Sequence, residues 1–243
     1  MRVAAGGGAC LALLLALAWG GPPAAGEAAP GAAAPIPLLL IGDSITFGGV
    51  SGPPGPPFAE LLAGALGPGY AVVNAGCAGS VALHWVPGEA NPTVCPGRGA
   101  EPIALFEALV RPHARAGVAA VLLGTNDAAL GSPVLAYRRD LGALAQGLLA
   151  IGIPRVLLLT PPPSGSPDPA VQERIEHYRS AIAHPQLGLC RVLAGVGCGP
   201  DLAALLDRAR DFAPGDAHPN AGGHERIARA LAEAIRALPA PPT

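Results

Sequence analysis

The stretch 36–46, IPLLLIGDSIT, decides the fold. Its first six residues are apolar without polar alternation, and a run that short, closed by Gly-Asp-Ser, is the pattern of a strand buried on both faces. Working outward, the pattern recurs. Residues 70–74 (YAVVN) end in Ala-Gly, 118–123 (VAAVLL) in Gly-Thr-Asn-Asp, and 155–159 (RVLLL) in Thr-Pro-Pro-Pro, while 190–193 (CRVL) is a candidate fifth strand. Helical patterns lie between and after these runs, at 58–66, 101–116, 134–150, 170–183, 201–209 and 221–238. Strand and helix alternate throughout, which predicts a three-layer α/β/α sandwich with a mainly parallel sheet. No internal repeat interrupts 36–243, so that span is expected to be one domain.

Composition narrows the class of protein. The chain has 243 residues, 51% hydrophobic and 13% charged, with a formal net charge of −2. Its 34 Gly and 29 Pro are numerous enough to suggest disorder. Disorder also needs low hydrophobicity and high charge, and neither is present. The Gly and Pro are therefore assigned to loops. All fifteen cationic side chains are Arg, with no basic run, and aromatic residues make 4%. That leaves no electrostatic footprint for nucleic acid.

The N-terminus reads as an export signal. Arg2 provides a positive start, 10–19 (CLALLLALAW) an apolar run of ten, and 20–29 (GGPPAAGEAA) the small residues that follow. Ten apolar residues are too few to span a bilayer of about 30 Å as a helix, but they match the central part of a secretory signal. Residues 1–35 are expected to be signal plus short linker, cut after Gly20 or Gly26, leaving no transmembrane segment in the mature chain. Four cysteines then remain, Cys77, Cys95, Cys190 and Cys198. An even number in an exported chain suits two disulfides, and proximity favours Cys77 with Cys95 and Cys190 with Cys198 over the other two pairings.

In an open parallel sheet, ligands bind beyond the carboxyl ends of the strands, and the polar residues of this chain gather there. Asp43, Ser44 and Thr46 follow the first strand, Asn74 and Gly79 the second, and Thr125, Asn126 and Asp127 the third; His218, Pro219 and Asn220 open the last helix. Each alone has a structural explanation as a turn or helix cap. Together, GDSIT, NAGCAGS (74–80), GTND (124–127) and DAHPNAGGH (216–224) resemble, in order and context, the sequence blocks of the SGNH, or GDSL-type, hydrolases. The resemblance covers about 38–238. It implies a flavodoxin-like sheet and hydrolysis of esters without a metal or other cofactor, on substrates from lipids to acetylated polysaccharides and small molecules.

Residue by residue, the resemblance implies Ser44 as nucleophile and His218 as its general base, because a serine hydroxyl needs a neutral imidazole within hydrogen-bond reach to take its proton. It further implies an oxyanion hole from the backbone N–H groups of Ser44 and Gly79 and the side-chain amide of Asn126. One block departs. The family has an aspartate three residues before the histidine, where this chain has Gly215; Asp216 stands two before. Either Asp216 still orients His218, or a backbone carbonyl does, and Asp211 is a distant third choice. His113, His177 and His184 read as solvated helix positions and His224 as a residue of the last helix's first turn. His84 and Trp85 are candidates to line the cleft, as is the neutral stretch 48–57 (GGVSGPPGPP). The expectation is an exported serine esterase favouring short acyl or acetyl-carbohydrate esters. The competing reading is a degenerate SGNH-like domain that binds ligand without turnover. Oligomeric state is not legible.

Overall fold

Five parallel strands pair in the order β2-β1-β3-β4-β5, in a computed structural model that describes residues 34–89 and 92–239. Of the predicted signal and linker (1–35), residues 1–33, with Cys10, lie outside them. β1 is Ile36–Gly42, β2 Tyr70–Asn74, β3 Val118–Leu122, β4 Val156–Leu158 and β5 Val196–Cys198. The helices in chain order are α1 (Ser44–Phe47), α2 (Phe58–Leu66), α3 (Thr125–Leu130), α4 (Val134–Ala150), α5 (Pro169–Ala183), α6 (Leu189–Val192), α7 (Leu202–Leu205), α8 (Arg208–Asp211) and α9 (Ala221–Arg236). Helices cover both faces, which gives the expected α/β/α sandwich, and the strand order is the flavodoxin-like one.

The unbroken apolar run of β1 follows from this double cover. Successive side chains of a strand point to opposite faces. Leu39 and Ile41 enter one core with residues of α4 and α5, such as Leu144 and Ile175. Leu38 and Leu40 enter the other with Leu62 of α2 and Leu231 of α9. β1 sits between β2 and β3, in register Leu38 with Val118 through Gly42 with Leu122. The chain first steps outward from β1 to β2 and then returns past β1 to β3. The crevice at the carboxyl ends of β1 and β3 is therefore the switch point of the sheet.

Three segments differ from the sequence reading. CRVL (190–193) lies largely in the short helix α6, and the fifth strand is Val196–Cys198. A segment of only four residues fits one helical turn as well as a strand, and the true strand hides behind two small residues. The single helix expected at 101–116 is a π-helical turn, Phe106–Val110, followed by a 3-10 turn, Arg111–His113. Pro112 has no N–H to donate and its ring crowds the preceding turn, so a regular helix cannot run through it. The 201–209 pattern splits into α7 and α8, because the Asp207 side chain accepts from the N–H groups of Ala209 and Arg210 and starts a new helix there.

The four cysteines stand as two pairs at disulfide distance, Cys77 with Cys95 (Cα–Cα 5.2 Å) and Cys190 with Cys198 (5.0 Å). Among the described residues no helix is long and apolar enough to cross a membrane.

Candidate active site

Ser44 opens α1, directly beyond β1. Its neighbour Asp43 caps that helix, accepting the Ile45 N–H at 3.0 Å, as expected of an acidic residue at such a turn. The first N–H groups of a helix have no partner within it, so the Ser44 N–H points out of the α1 terminus. Its hydroxyl Oγ lies 2.9 Å from His218 Nε2.

His218 comes from the loop between α8 and α9, 174 residues along the chain, and several bonds fix that loop. Asn220 N donates to the Asp211 carbonyl at 2.7 Å, Asp216 N to the Ala213 carbonyl at 3.1 Å, and Gly165 N, beyond β4, to the Asp216 carbonyl at 2.9 Å. Asn220 caps α9 by accepting the Gly223 N–H at 3.0 Å. On the first-strand side, Ser51 N donates to the Pro219 carbonyl at 3.1 Å. Part of the stretch 48–57 thus straps the histidine loop to the serine loop.

The shortened block still delivers a carboxylate. Asp216 Oδ1 lies 2.7 Å from His218 Nδ1 and also accepts the His218 backbone N–H at 2.9 Å. Burial alone would raise the Asp216 pKa, but the bonds from His218's backbone and ring outweigh it and hold the carboxyl below its usual value. With an ionised carboxylate at Nδ1, the ring hydrogen sits on Nδ1 and Nε2 is free to accept from Ser44. Asp211 stays away from the ring. It is wholly buried and pairs with Arg210 (2.7 Å) and Arg226 (2.8 Å).

The other two expected contributors follow β2 and β3. Gly79 is exposed at φ +79°, and a Cβ built on it would point into open space. The Asn126 amide Nδ2 donates to the Ser80 carbonyl at 3.0 Å, which fastens α3 to the Gly79 loop and leaves the second amide hydrogen uncommitted. Behind that loop, Asp127 accepts the Ala82 N–H at 3.2 Å, and Ser80 Oγ accepts Trp85 Nε1–H at 3.0 Å. Trp85 is fully buried in the core and does not line the cleft. His84 is half-buried, its Nδ1 accepting from Val81 N at 3.3 Å. Two carboxyl groups lie beneath the site: burial pushes Asp43 up to about 7 and Asp127 up to about 6.

The structure thus brings Ser44, His218 and Asp216 into one hydrogen-bonded row. A model of the GDSL-like Lipase/Acylhydrolase family matches residues 40–226, which span every one of these positions. The chain belongs to the GDSL-like lipase/acylhydrolase family. It is an ester hydrolase. No curated protein matches it, but solved structures do. A catalytic mutant of an acetylxylan esterase from Geobacillus stearothermophilus is 18% identical with a TM-score of 0.60, over 82% of this chain and 94% of that one. The lipase/acylhydrolase from Enterococcus faecalis is 18% identical (TM-score 0.59, 86% and 99% covered). An α/β hydrolase from the metagenome of Lake Arreo, Spain, is 22% identical (TM-score 0.58, 86% and 98% covered). At these identities the likeness is one of fold.

In the sequence, His224 is legible only as a residue of a helix's first turn. It is completely buried and bonded to two other elements of the site: its Nε2 lies 2.9 Å from the Gly49 carbonyl, and its Nδ1 accepts the Phe58 N–H at 3.1 Å. The signal available in the sequence was its position six residues after His218, without a partner to suggest what it held.

Proposed function

We propose that this GDSL-family hydrolase is an exported serine esterase working through an acyl-enzyme on Ser44. The observation that carries the reading is the row of contacts Asp216 Oδ1, His218 Nδ1, His218 Nε2, Ser44 Oγ, at 2.7 and 2.9 Å. Ser44 Oγ attacks the ester carbonyl carbon while His218 Nε2 takes the hydroxyl proton; the Asp216 carboxylate stabilises the imidazolium that results. The carbonyl electrons move onto oxygen, which meets the N–H groups of Ser44 and Gly79 and the Asn126 amide. Collapse of the tetrahedral intermediate breaks the C–O bond, and His218 returns its proton to the departing alcohol. Water then repeats the sequence on the acyl-serine and frees the acid.

Short acyl or acetyl-carbohydrate esters are the proposed substrates. A neutral loop beside the serine and an exposed Gly79 suit a small acyl group on a polar alcohol, and the fold likeness to an acetylxylan esterase points the same way. The proposed organisation is a signal and linker over 1–35 and one catalytic domain over 36–243; the paired cysteines are compatible with export.

The test is Ser44→Ala, assayed on p-nitrophenyl esters from acetate to palmitate and on acetylated xylan. Loss of on the order of 10⁴ to 10⁶ in kcat is expected, together with loss of labelling by a fluorophosphonate probe. Residual activity above about a tenth of wild type would sink the assignment. A wild-type protein that resists the probe would instead favour the degenerate binding domain.

A further inference from the structure

His218 rests on the backbone of Gly49. A Cβ built at Gly49 would stand 2.5 Å from His218 Cδ2 and 2.7 Å from its Nε2, so the imidazole lies against a bare Cα with no room for a methyl group. Gly49 is held from two sides. Its N–H donates to the Ser44 carbonyl at 2.7 Å, and its carbonyl lies 2.9 Å from His224 Nε2.

The ring of His224 has a fixed hydrogen pattern. Phe58 N–H, a group that can only donate, points at Nδ1 at 3.1 Å, so Nδ1 is bare and Nε2 carries the hydrogen given to Gly49. The ring is fully buried and stacks parallel to Phe58, centroids 6.1 Å apart. Burial holds its pKa below the ordinary value. His224 therefore ties three elements to each other: α9, the entry of α2 and the loop behind the serine.

We propose that His224 is a positioning residue for ester hydrolysis: through Nε2–H it fixes the Gly49 carbonyl, and so the surface on which His218 aligns with Ser44 Oγ. The inference rests on the reading of Ser44 and His218 as nucleophile and base. It assigns no proton transfer to His224. Its role is to keep the His218 Nε2 to Ser44 Oγ line within a few tenths of an ångström, and displacement of about 1 Å in such a pair is worth up to about a hundredfold in rate.

Two amides separate the two halves of the ring. In His224→Gln the amide nitrogen reaches where Nε2 lies and can still donate to Gly49; in His224→Asn the amide oxygen stays where Nδ1 lies and serves Phe58 alone. The expected result on p-nitrophenyl acetate is a loss of roughly tenfold or more in kcat for His224→Asn, with KM within about twofold. Fluorophosphonate labelling should slow in proportion, and His224→Gln should recover most of the loss. Equal impairment of both variants would reduce His224 to packing and overturn the proposal, as would a His224→Asn enzyme within twofold of wild type. Should the Asn variant not fold, Gly49→Ala decides. Its methyl group enters the space of the His218 ring and is expected to cost about 30-fold or more in kcat with little change in KM; a kcat within twofold of wild type overturns the proposal. Ser44→Ala keeps the two readings apart: a dead Ser44→Ala enzyme beside a fully active His224→Asn enzyme removes this inference and leaves the esterase reading standing.

Discussion

Replacing Asp216 by asparagine should be far milder than replacing it by alanine, and the reason is a single oxygen. Asp216 Oδ1 accepts both the His218 ring Nδ1–H at 2.7 Å and the His218 backbone N–H at 2.9 Å. A backbone N–H cannot become an acceptor, so an asparagine here is driven to present its carbonyl oxygen, and that oxygen faces the ring too. The tautomer with Nε2 free is kept. What disappears is the negative charge beside the imidazolium formed during the reaction. Two unit charges about 4 Å apart interact by about 4 kcal/mol at an effective dielectric constant near 20. Both side chains are about one third exposed, 32% for His218 and 35% for Asp216, so screening reduces this to ~2 to 3 kcal/mol. Asp216→Asn should therefore lower kcat by roughly 30- to 150-fold. Asp216→Ala removes both bonds and the control of the tautomer, and should cost on the order of 10⁴. The assay is steady-state hydrolysis of p-nitrophenyl acetate, with fluorophosphonate labelling rates as an independent measure of serine activation. Equal losses in the two variants would refute the argument from the shared oxygen. A loss below about threefold in Asp216→Asn would refute any electrostatic role of the carboxylate and leave a Ser44 and His218 dyad.

Asn126→Ala should cost on the order of 10² to 10³ in kcat, since one of the three proposed oxyanion donors is lost; an unchanged kcat would remove Asn126 from that role. Thiol titration of the denatured, unreduced chain produced without residues 1–35 should find no free thiol, because both described pairs stand at disulfide distance; two or more would mean that at least one pair is open. Thermal stability should carry a pH signature of the buried acids. Asp43 and Asp127 have folded pKa values raised to about 7 and about 6 from 3.8, so the folded state holds protons that the unfolded state releases. Their contribution is fully present below about pH 4 and is lost as the pH rises through 6 to 7. Asp43→Asn should flatten the fall in Tm between pH 5 and 8, by an amount worth up to ~3 kcal/mol for Asp43 alone; wild-type and variant curves that run parallel would show that Asp43 does not titrate there.

The sequence by itself determined the layers of the fold and nominated most of the candidate site. Runs such as 36–41 and 118–123 have no polar residue to turn towards water, and only a sheet covered on both faces satisfies them. The blocks GDSIT, NAGCAGS, GTND and DAHPNAGGH nominated Ser44, Gly79, Asn126 and His218 through their resemblance to the GDSL-type hydrolases, and strand ends in such a sheet share one crevice. Where the signal was short, it failed: the four residues CRVL did not distinguish α6 from a strand, and β5, with Gly197 at its centre, gave no run to find. The tertiary structure alone decided what depends on distance across the chain. Whether Asp216, displaced by one position, still faces His218 Nδ1 turns on the path of the 212–220 loop, which is set by Asp211 at the end of α8 and by Gly165 and Ser51 from two other segments. The shelf of Gly49 under His218, and the hold of His224 on that shelf, join residues 169 and 175 positions apart. A hydrogen bond is fixed by tenths of an ångström, and no pattern along the chain carries that information until the loops are folded onto one another.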